Sequence, residues 1–179
     1  GIDLKLASGD SLALLGPNGA GKTTTLHMLM GVVRPDAGSI VVDGKSDPTR
    51  PEVRATMGVA PQELSIYPEL TGEENLVLFA RLYGLSGEYL RRRVAWGLEF
   101  AGLQERRADR VGTYSGGMKR RINLACAVLH EPRLLLCDEP TVGVDPQSRN
   151  HIFNCIDEIL RGGTTLIYTT HYMTEVERL

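Results

Sequence analysis

The stretch Leu12-Ala13-Leu14-Leu15-Gly16-Pro17-Asn18-Gly19-Ala20-Gly21-Lys22-Thr23 decides the fold of this chain. Its continuous apolar start is typical of a buried strand, and the residues from Lys22 to about Val33 read as a helix. Between them, residues 16–23 fit G-x-x-x-x-G-K-[ST], whose glycines let successive backbone N–H groups point at phosphate oxygens. The order of strand, loop and helix therefore predicts a phosphate-binding loop at the end of a strand.

Each residue type in this loop has a chemical use. The helix that begins there adds the positive end of its dipole to the anion site. Lys22 can reach the β- and γ-phosphates of a nucleotide, and the Thr23 hydroxyl can ligate magnesium. The residues expected to bind the nucleotide are Gly16, Pro17, Asn18, Gly19, Ala20, Gly21, Lys22, Thr23 and Thr24.

A second apolar strand delivers two carboxylates. Residues 134–137 read Leu-Leu-Leu-Cys and are followed directly by Asp138 and Glu139. Ligands bind at the carboxyl ends of the strands of a parallel sheet. Asp138 would hold magnesium, directly or through water. Neighbouring residues at a strand end can point in different directions, so one carboxylate can face the metal and the other the water. Glu139 would then act as general base on the attacking water.

The other segments alternate between strands and helices, which predicts an α/β fold with a mainly parallel sheet flanked by helices on both faces. Strands are expected at residues 2–6, 39–42, 57–60 and 164–169, and helices at 71–83, 86–102, 115–130 and 145–163. Residues 64–112 carry no strand pattern and read as a helical insertion, so a helical subdomain is expected at about 64–130.

Two of the predicted helices begin with capping signals. Thr71 stands three residues before Glu74, which is the spacing of a capping box. Asp145 directly precedes Pro146, which is the preferred order of N-cap and first helical residue.

Composition excludes several classes of protein. The 179 residues are 42% hydrophobic and 23% charged, with a formal net charge of −2, so the chain has no overall attraction to nucleic acid or anionic lipid. No apolar run approaches the roughly 18–20 residues that span a bilayer. The cysteines are odd in number and far apart in the sequence, which favours buried thiols in a reducing compartment over disulfides or a zinc site. They are Cys126, Cys137 and Cys155.

The segment Tyr114-Ser115-Gly116-Gly117-Met118-Lys119-Arg120-Arg121 resembles the signature motif of ATP-binding cassette (ABC) proteins, usually written L-S-G-G-Q. As in that family, it stands shortly before the strand that carries the acidic pair. Tyr114 and Met118 depart from the commonest residues, although Y-S-G-G-M is also used in the family. In physical terms, Ser115, Gly116 and Gly117 at a helix N-terminus form an anion-binding nest.

The resemblance extends from Leu12 to Leu179 and implies further site residues. Gln62 is similar to the Q-loop glutamine that touches magnesium and the attacking water. Asp145 resembles the D-loop aspartate that communicates between two ATP sites, and it is also an ordinary helix cap. His171 resembles the switch histidine that contacts the γ-phosphate. The implied catalytic residues are Glu139, His171 and Gln62, and the implied metal ligands are Thr23, Gln62 and Asp138.

The resemblance also implies a P-loop NTPase fold, ATP and Mg²⁺ as cofactors, and two such domains paired head to tail. Each ATP would lie on residues 16–24 of one subunit and face residues 115–117 of the other. The second domain would be another copy or a paralogue, and a transmembrane permease would dock near residues 64–102 and hold the chain at the cytoplasmic side of the membrane. Residues 114–125 and 139–149 look like those of ABC-2 type drug-efflux subunits, so export is expected and no nucleic-acid partner.

Three other functions stay open. A soluble family member acting on DNA or ribosomes would carry long coiled-coil insertions or tandem cassettes, and neither pattern is present. A small-molecule kinase with a phosphate loop would have no use for the Ser115 motif. A non-catalytic ATP-binding fragment fits the ends of the chain, because the family domain usually starts earlier, with an aromatic that stacks on adenine, and continues beyond His171. Residues 1–179 are therefore expected to be a single ABC ATPase domain truncated at both ends, with weakened ATP affinity.

Overall fold

The computed structural model describes residues 1–179, apart from the side chains of Lys45 and Ser46. Its strands are β1 (Ser11–Leu15), β2 (Val41–Val42), β3 (Lys45–Ser46), β4 (Met57–Ala60), β5 (Leu134–Asp138) and β6 (Thr165–Thr170). Its helices are α1 (Lys22–Leu29), α2 (Pro51–Arg54), α3 (Gly72–Leu82), α4 (Gly87–Phe100), α5 (Gly116–Val128), α6 (Pro146–Arg161) and α7 (Met173–Val176).

The described backbone forms one parallel sheet in the order β1-β6-β5-β4. Strand β6 pairs with both of its neighbours, so that Thr170 lies opposite Leu15 of β1 and Thr169 lies opposite Asp138 of β5. Parallel neighbours require long crossover connections, which the helices supply. All four strands therefore end at the same edge, and the segments that follow them line up along it.

Strand β5 is buried along its whole length and divides its side chains between two hydrophobic cores. Leu135 and Cys137 face a core built with α3, α4, α5 and α6, whereas Leu134 and Leu136 face a core built with α1 and α2. Because successive side chains of a strand point to opposite faces, an unbroken apolar run suits a sheet that is covered on both sides. The predicted parallel sheet flanked by helices is confirmed.

Both predicted helix caps are present. The Thr71 hydroxyl accepts a hydrogen bond from the backbone N–H of Glu74 at 3.1 Å, and the Glu74 carboxylate accepts one from the N–H of Thr71 at 2.8 Å. This reciprocal pair is the capping box that starts α3. Asp145 caps α6 by accepting from the N–H of Ser148 at 2.9 Å, and this hydrogen bond lowers the pKa of its carboxyl.

The segment between β4 and β5 is built from α3, α4 and α5, with two short 3₁₀ turns at Gln104–Arg106 and Val111–Thr113. Helix α3 packs against both α4 and α5. This is the part of the chain for which a helical insertion is predicted. None of the described helices combines the length and the apolar character that crossing a membrane requires.

Residues 2–6 do not form the predicted strand. They are irregular, and the described backbone pairs no strand with them. Residues 2–5 are exposed and only Leu6 is half-buried. Alternating polar and apolar residues can form a half-buried face, but a strand also needs a neighbour that supplies hydrogen bonds. The prediction from alternation alone was wrong here.

Two predicted elements are shorter than expected. The strand predicted at 39–42 is confined to Val41–Val42, which pairs antiparallel with Lys45–Ser46. Asp43 and Gly44 link them with φ values of 51° and 70°, as in a two-residue hairpin turn. Helix α1 ends at Leu29 rather than Val33, because Gly31 takes a left-handed backbone with a φ of 70°.

Candidate functional site

Segments that follow the four parallel strands meet at the carboxyl edge of the sheet. Across this edge, the glycine-rich loop after β1 comes first, then His171 after β6, Asp138 and Glu139 at the end of β5, and Gln62 after β4. The N–H of Gly16 donates to the carbonyl oxygen of Thr170 at 3.2 Å, which joins the loop to the segment that carries His171. The topology thus gathers residues that are far apart in the sequence.

The loop between β1 and α1 has the backbone that its glycines permit. Gly19 and Gly21 have φ values of 83° and 91°, in the left-handed region that residues with side chains rarely adopt. Gly21 is the N-cap of α1 and provides no side-chain hydrogen bond to the first turn. The first amides of α1 and the helix dipole therefore suit an anion, and residues 17–20 are exposed to solvent.

Lys22 and Glu139 form a buried ion pair at the base of this loop. The Nζ atom of Lys22 lies 3.1 Å from Oε1 of Glu139, and the two side chains are only 8% and 6% exposed. Nζ also donates to the carbonyl oxygens of Gly16 at 2.8 Å and Pro17 at 3.1 Å. The three protons of the ammonium group are thus shared between the loop backbone and the predicted general base.

Glu139 also contacts the predicted switch histidine. Its second carboxylate oxygen, Oε2, lies 3.2 Å from Nδ1 of His171. The backbone of Glu139 is left-handed, with a φ of 46°, a conformation that costs a residue with a side chain on the order of 1 kcal/mol. The Glu139 carboxylate contacts Lys22 and His171, whereas that of Asp138 accepts from Thr169, so the two neighbouring carboxylates have different partners.

Thr169 holds both members of the acidic pair, and the sequence patterns did not indicate it. Its hydroxyl donates to Oδ1 of Asp138 and accepts from the N–H of Glu139 at 3.0 Å. Asp138 and Thr169 are both buried. In the sequence, Thr169 reads only as one β-branched residue of a strand. Its role depends on its register opposite Asp138, which is a property of the tertiary structure.

Gln62 lies at the expected edge of the sheet, but its exposed side chain forms no hydrogen bond to the acidic pair among the described contacts. Its backbone carbonyl oxygen accepts from Nη1 of Arg120 at 2.6 Å. Arg120 belongs to α5, the helix that begins at the Ser115 motif. The structure therefore links the segment of Gln62 to that helix, a contact that the sequence did not predict.

The Ser115 motif forms a second group of predicted residues. The Ser115 hydroxyl caps α5 by accepting from the N–H of Met118 at 3.2 Å. The atoms nearest to a Cβ added at Gly117 would be those of Ser148, with Oγ at 2.0 Å, and Oδ2 of Asp145 at 3.2 Å. Gly117 thus lies beside Asp145 and Ser148 at the start of α6, where a side chain on Gly117 has no room.

The oxygen donors at the sheet edge fit a magnesium ion that arrives with phosphates. Thr23 supplies a hydroxyl and Asp138 a carboxylate, and hard oxygen donors are what Mg²⁺ prefers. No group of three or more His, Cys, Asp or Glu residues among the described side chains is arranged to hold a metal by itself. Mg²⁺ is usually bound by one or two protein oxygens together with substrate phosphates, so Thr23 and Asp138 are suitable ligands.

Comparison with known proteins identifies the family and the fold of the chain. A sequence model of the family described as "ABC transporter" matches residues 1–142. The chain is 49% identical, over its full length, to the linearmycin resistance ATP-binding protein LnrL of Bacillus subtilis, of which it spans 58%. It is 47% identical to the Nod factor export ATP-binding protein I of Paraburkholderia xenovorans, over its full length and 59% of that protein. The chain thus spans less than two thirds of these curated relatives.

Two solved structures share the fold. The dimeric ATP-binding cassette MJ0796, in a post-hydrolysis state bound to ADP and Pi, matches with a TM-score of 0.87 and 26% identity over 98% of this chain and 80% of that chain. An ATP-binding subunit of an ABC transporter matches with a TM-score of 0.84 and 35% identity, over 96% of this chain and 72% of that chain.

Proposed function

The chain belongs to the ABC transporter family, and we propose that it binds ATP with Mg²⁺ and hydrolyses it to drive export. One observation carries the hydrolytic part of this proposal. The Glu139 carboxylate lies between Lys22 of the phosphate loop, at 3.1 Å, and His171, at 3.2 Å. A base in that position is next to the group that would hold the terminal phosphate of a nucleotide.

Residues 16–24 would bind the phosphates of ATP. The exposed loop offers backbone N–H groups, and the start of α1 adds the positive end of its dipole. Lys22 would turn from the carbonyl oxygens of Gly16 and Pro17 toward the β- and γ-phosphates. Thr23 and Asp138, with Gln62 nearby, would hold Mg²⁺, which when bound neutralises charge on the phosphate oxygens.

Glu139 would accept the proton of the attacking water. One of its oxygens faces Lys22 and the other faces His171, so the carboxylate is oriented from both sides before a nucleotide binds. His171 would contact the γ-phosphate and orient the water, and Gln62 would approach from the end of β4. Preorganised groups of this kind lower a barrier because they need no reorientation during the reaction.

A second copy or a paralogue would complete each ATP site. The phosphate loop and the Ser115 motif are two anion-binding features on one chain, and the neighbours of Gly117 belong to the start of α6. In a two-fold dimer each feature is used once per site, so Ser115, Gly116, Gly117 and Asp145 would face the ATP bound by the partner. The dimeric cassette bound to ADP and Pi supports this arrangement.

The free energy of ATP hydrolysis would drive export through a membrane partner. Relatives at 49% and 47% identity are named for linearmycin resistance and for Nod factor export, which favours a drug-efflux type of subunit over a soluble protein that acts on DNA or ribosomes. A transmembrane permease would dock on residues 64–102 and hold the chain at the cytoplasmic face of the membrane. Tyr67 and Leu82 of this segment are 50% and 69% exposed, so apolar surface is present there.

Magnesium-dependent ATPase activity, measured against protein concentration, tests the hydrolytic proposal. We expect the activity to rise more steeply than linearly, because each site needs two chains. Glu139→Gln should abolish turnover while ATP still binds, and Glu158→Gln, on an exposed glutamate of α6, should leave it unchanged. ATP binding without turnover at any concentration would reduce the chain to a binding module. Activity that survives Glu139→Gln would exclude Glu139 as the base.

A further inference from the structure

Glu175 is a buried carboxylate for which the proposed reaction has no use. It lies in the short helix α7 and is 2% exposed. Its Oε1 accepts from the Thr141 hydroxyl at 2.6 Å, and its Oε2 accepts from the Thr170 hydroxyl at 2.6 Å and from the Tyr168 hydroxyl at 3.0 Å. Nε of Arg149 lies 3.9 Å from Oε1. Burying a charge costs free energy unless the charge is paired and hydrogen-bonded in this way. We therefore ask what function a buried carboxylate serves at this position.

Each hydroxyl of the cluster lies within hydrogen-bonding distance of Glu175, and the Thr141 and Tyr168 hydroxyls also lie 3.3 Å from each other. Each hydroxyl has one proton to donate, and burial raises the pKa of Tyr168, which therefore keeps its proton. The Thr170 hydroxyl also accepts from the N–H of Tyr172 at 3.0 Å. The Thr170 hydroxyl therefore donates to Glu175 and accepts from the backbone of Tyr172. The second of these hydrogen bonds joins the residues on either side of His171.

The hydrogen bonds to Glu175 connect the segment that carries Glu139 with the segment that carries His171. Thr141 lies two residues after Glu139, and Thr170 lies one residue before His171. Glu139 and His171 are in contact, with Oε2 and Nδ1 separated by 3.2 Å. The ends of β5 and β6 are therefore tied to one carboxylate next to the point where their functional side chains meet.

Tyr168 differs from the two threonines in its position. It lies inside β6, opposite Ala13 of β1 and Cys137 of β5, so the sheet holds its backbone from both sides. Its hydroxyl contacts Glu175 at 3.0 Å and Thr141 at 3.3 Å, both longer than the 2.6 Å hydrogen bonds that Thr141 and Thr170 donate to Glu175. Tyr168→Phe removes the two longer contacts and leaves both threonine hydrogen bonds to Glu175 in place. It is the natural control.

We propose that Glu175 is a positioning residue that sets the separation of Glu139 and His171 through Thr141 and Thr170. This inference rests on the proposed hydrolysis of ATP at Glu139. Glu175 does not touch the nucleotide in this scheme. Loss of its charge would loosen both segments, and a misplacement on the order of 1 Å can reduce a catalysed rate about a hundredfold.

The test compares Glu175→Gln and Thr170→Val with Tyr168→Phe, and measures kcat, the KM for MgATP and the thermal midpoint. We expect kcat to fall about tenfold or more in the first two variants, while KM changes by less than about twofold because the phosphate loop is intact. Tyr168→Phe should lose a similar amount of thermal stability and keep its kcat. Thr170→Ser, which retains the hydroxyl, should restore the rate lost in Thr170→Val.

A second measurement needs no turnover. The ring resonances of His171 in the nucleotide-free chain, recorded by NMR at one fixed pH, should move in Glu175→Gln and Thr170→Val and stay in place in Tyr168→Phe. If the His171 resonances do not move in Glu175→Gln and Thr170→Val, the proposed role of Glu175 is wrong, even if ATP is hydrolysed. The role is also wrong if kcat falls in proportion to the loss of thermal stability in all three variants, Tyr168→Phe included. Resonances that move in a chain without ATPase activity would support the positioning role and count against the proposed function. If Glu175→Gln does not fold, Thr170→Val against Thr170→Ser decides the question.

Discussion

The Nζ atom of Lys22 lies 3.1 Å from Oε1 of Glu139, although β6 separates the strands that these two residues follow. The ion pair therefore bridges the ends of β1 and β5 across the strand between them. Because both side chains are buried, little solvent screens the attraction. A phosphate group that approaches Lys22 must share its ammonium with Glu139, so nucleotide binding and the orientation of the proposed base are linked.

Removing the lysine should destabilise the nucleotide-free protein. Lys22→Met leaves the buried Glu139 carboxylate without its cation, and breaking one side of a buried ion pair typically costs about 3–5 kcal/mol. Urea unfolding would measure the change in the free energy of unfolding. The double variant Lys22→Met/Glu139→Gln should be less destabilised than the sum of the two single variants by at least about 1 kcal/mol. If the losses in the free energy of unfolding were strictly additive, Lys22 and Glu139 would not be energetically coupled.

The tyrosine at the first position of the signature motif should be coupled to Gly72. A Cβ added at Gly72 would lie 2.3 Å from the Tyr114 hydroxyl oxygen, which donates to the carbonyl oxygen of Arg106 at 2.7 Å. Gly72→Ala should therefore lower the free energy of unfolding by about 1–3 kcal/mol through overpacking.

Tyr114→Phe removes the oxygen that the added methyl group would meet. The loss in Gly72→Ala/Tyr114→Phe should then be smaller than the sum of the single losses, as a double-mutant cycle by urea unfolding would reveal. If Gly72→Ala costs the same stability with and without Tyr114→Phe, the close approach is contradicted.

The thiols of the native chain should be unreactive. Cys126, Cys137 and Cys155 are all buried and free, as the sequence predicts, and burial raises the pKa of each thiol. Since the thiolate is the reactive species, Ellman's reagent at about pH 8 should modify the native protein only at the rate of unfolding. The same reagent in denaturant should titrate all 3 cysteines. Rapid modification of any one thiol in the native state would show that its burial is wrong.

His130 should make the protein less stable as the solution is acidified. Its ring stacks on Tyr83 with centroids 3.5 Å apart, and its Nε2 lies 2.9 Å from the carbonyl oxygen of Met57. Burial lowers the pKa of His130 from its ordinary value of 6.5. Below pH 6.5 the unfolded chain therefore binds a proton that the folded chain does not, and stability falls as the pH falls.

His130→Gln removes this proton uptake. Its free energy of unfolding, followed by urea denaturation between about pH 7.5 and about pH 5, should fall less steeply on acidification than that of the unchanged chain. Parallel curves for the two proteins would exclude His130 as a source of the pH dependence.

The sequence predicted most of the elements that position the site. The apolar run of β5, the Thr71–Glu74 capping box and the Asp145 cap are local patterns, and all are present. Prediction failed at residues 2–6, because alternation does not specify a pairing partner. It also missed Thr169, Arg120 and Glu175, whose roles arise from contacts between residues that are far apart in the chain.

The sequence by itself determined the chemistry that the chain can offer. The left-handed glycines of the loop, the carboxylates directly after an apolar strand and the cap at Ser115 depend on residues close together in the chain, where local sterics and hydrogen bonding decide the conformation. Only the tertiary structure decided how these groups meet. The strand order β1-β6-β5-β4 brings Lys22, Glu139 and His171 into contact, because parallel strands joined by crossovers end at one edge and their register sets which side chains touch.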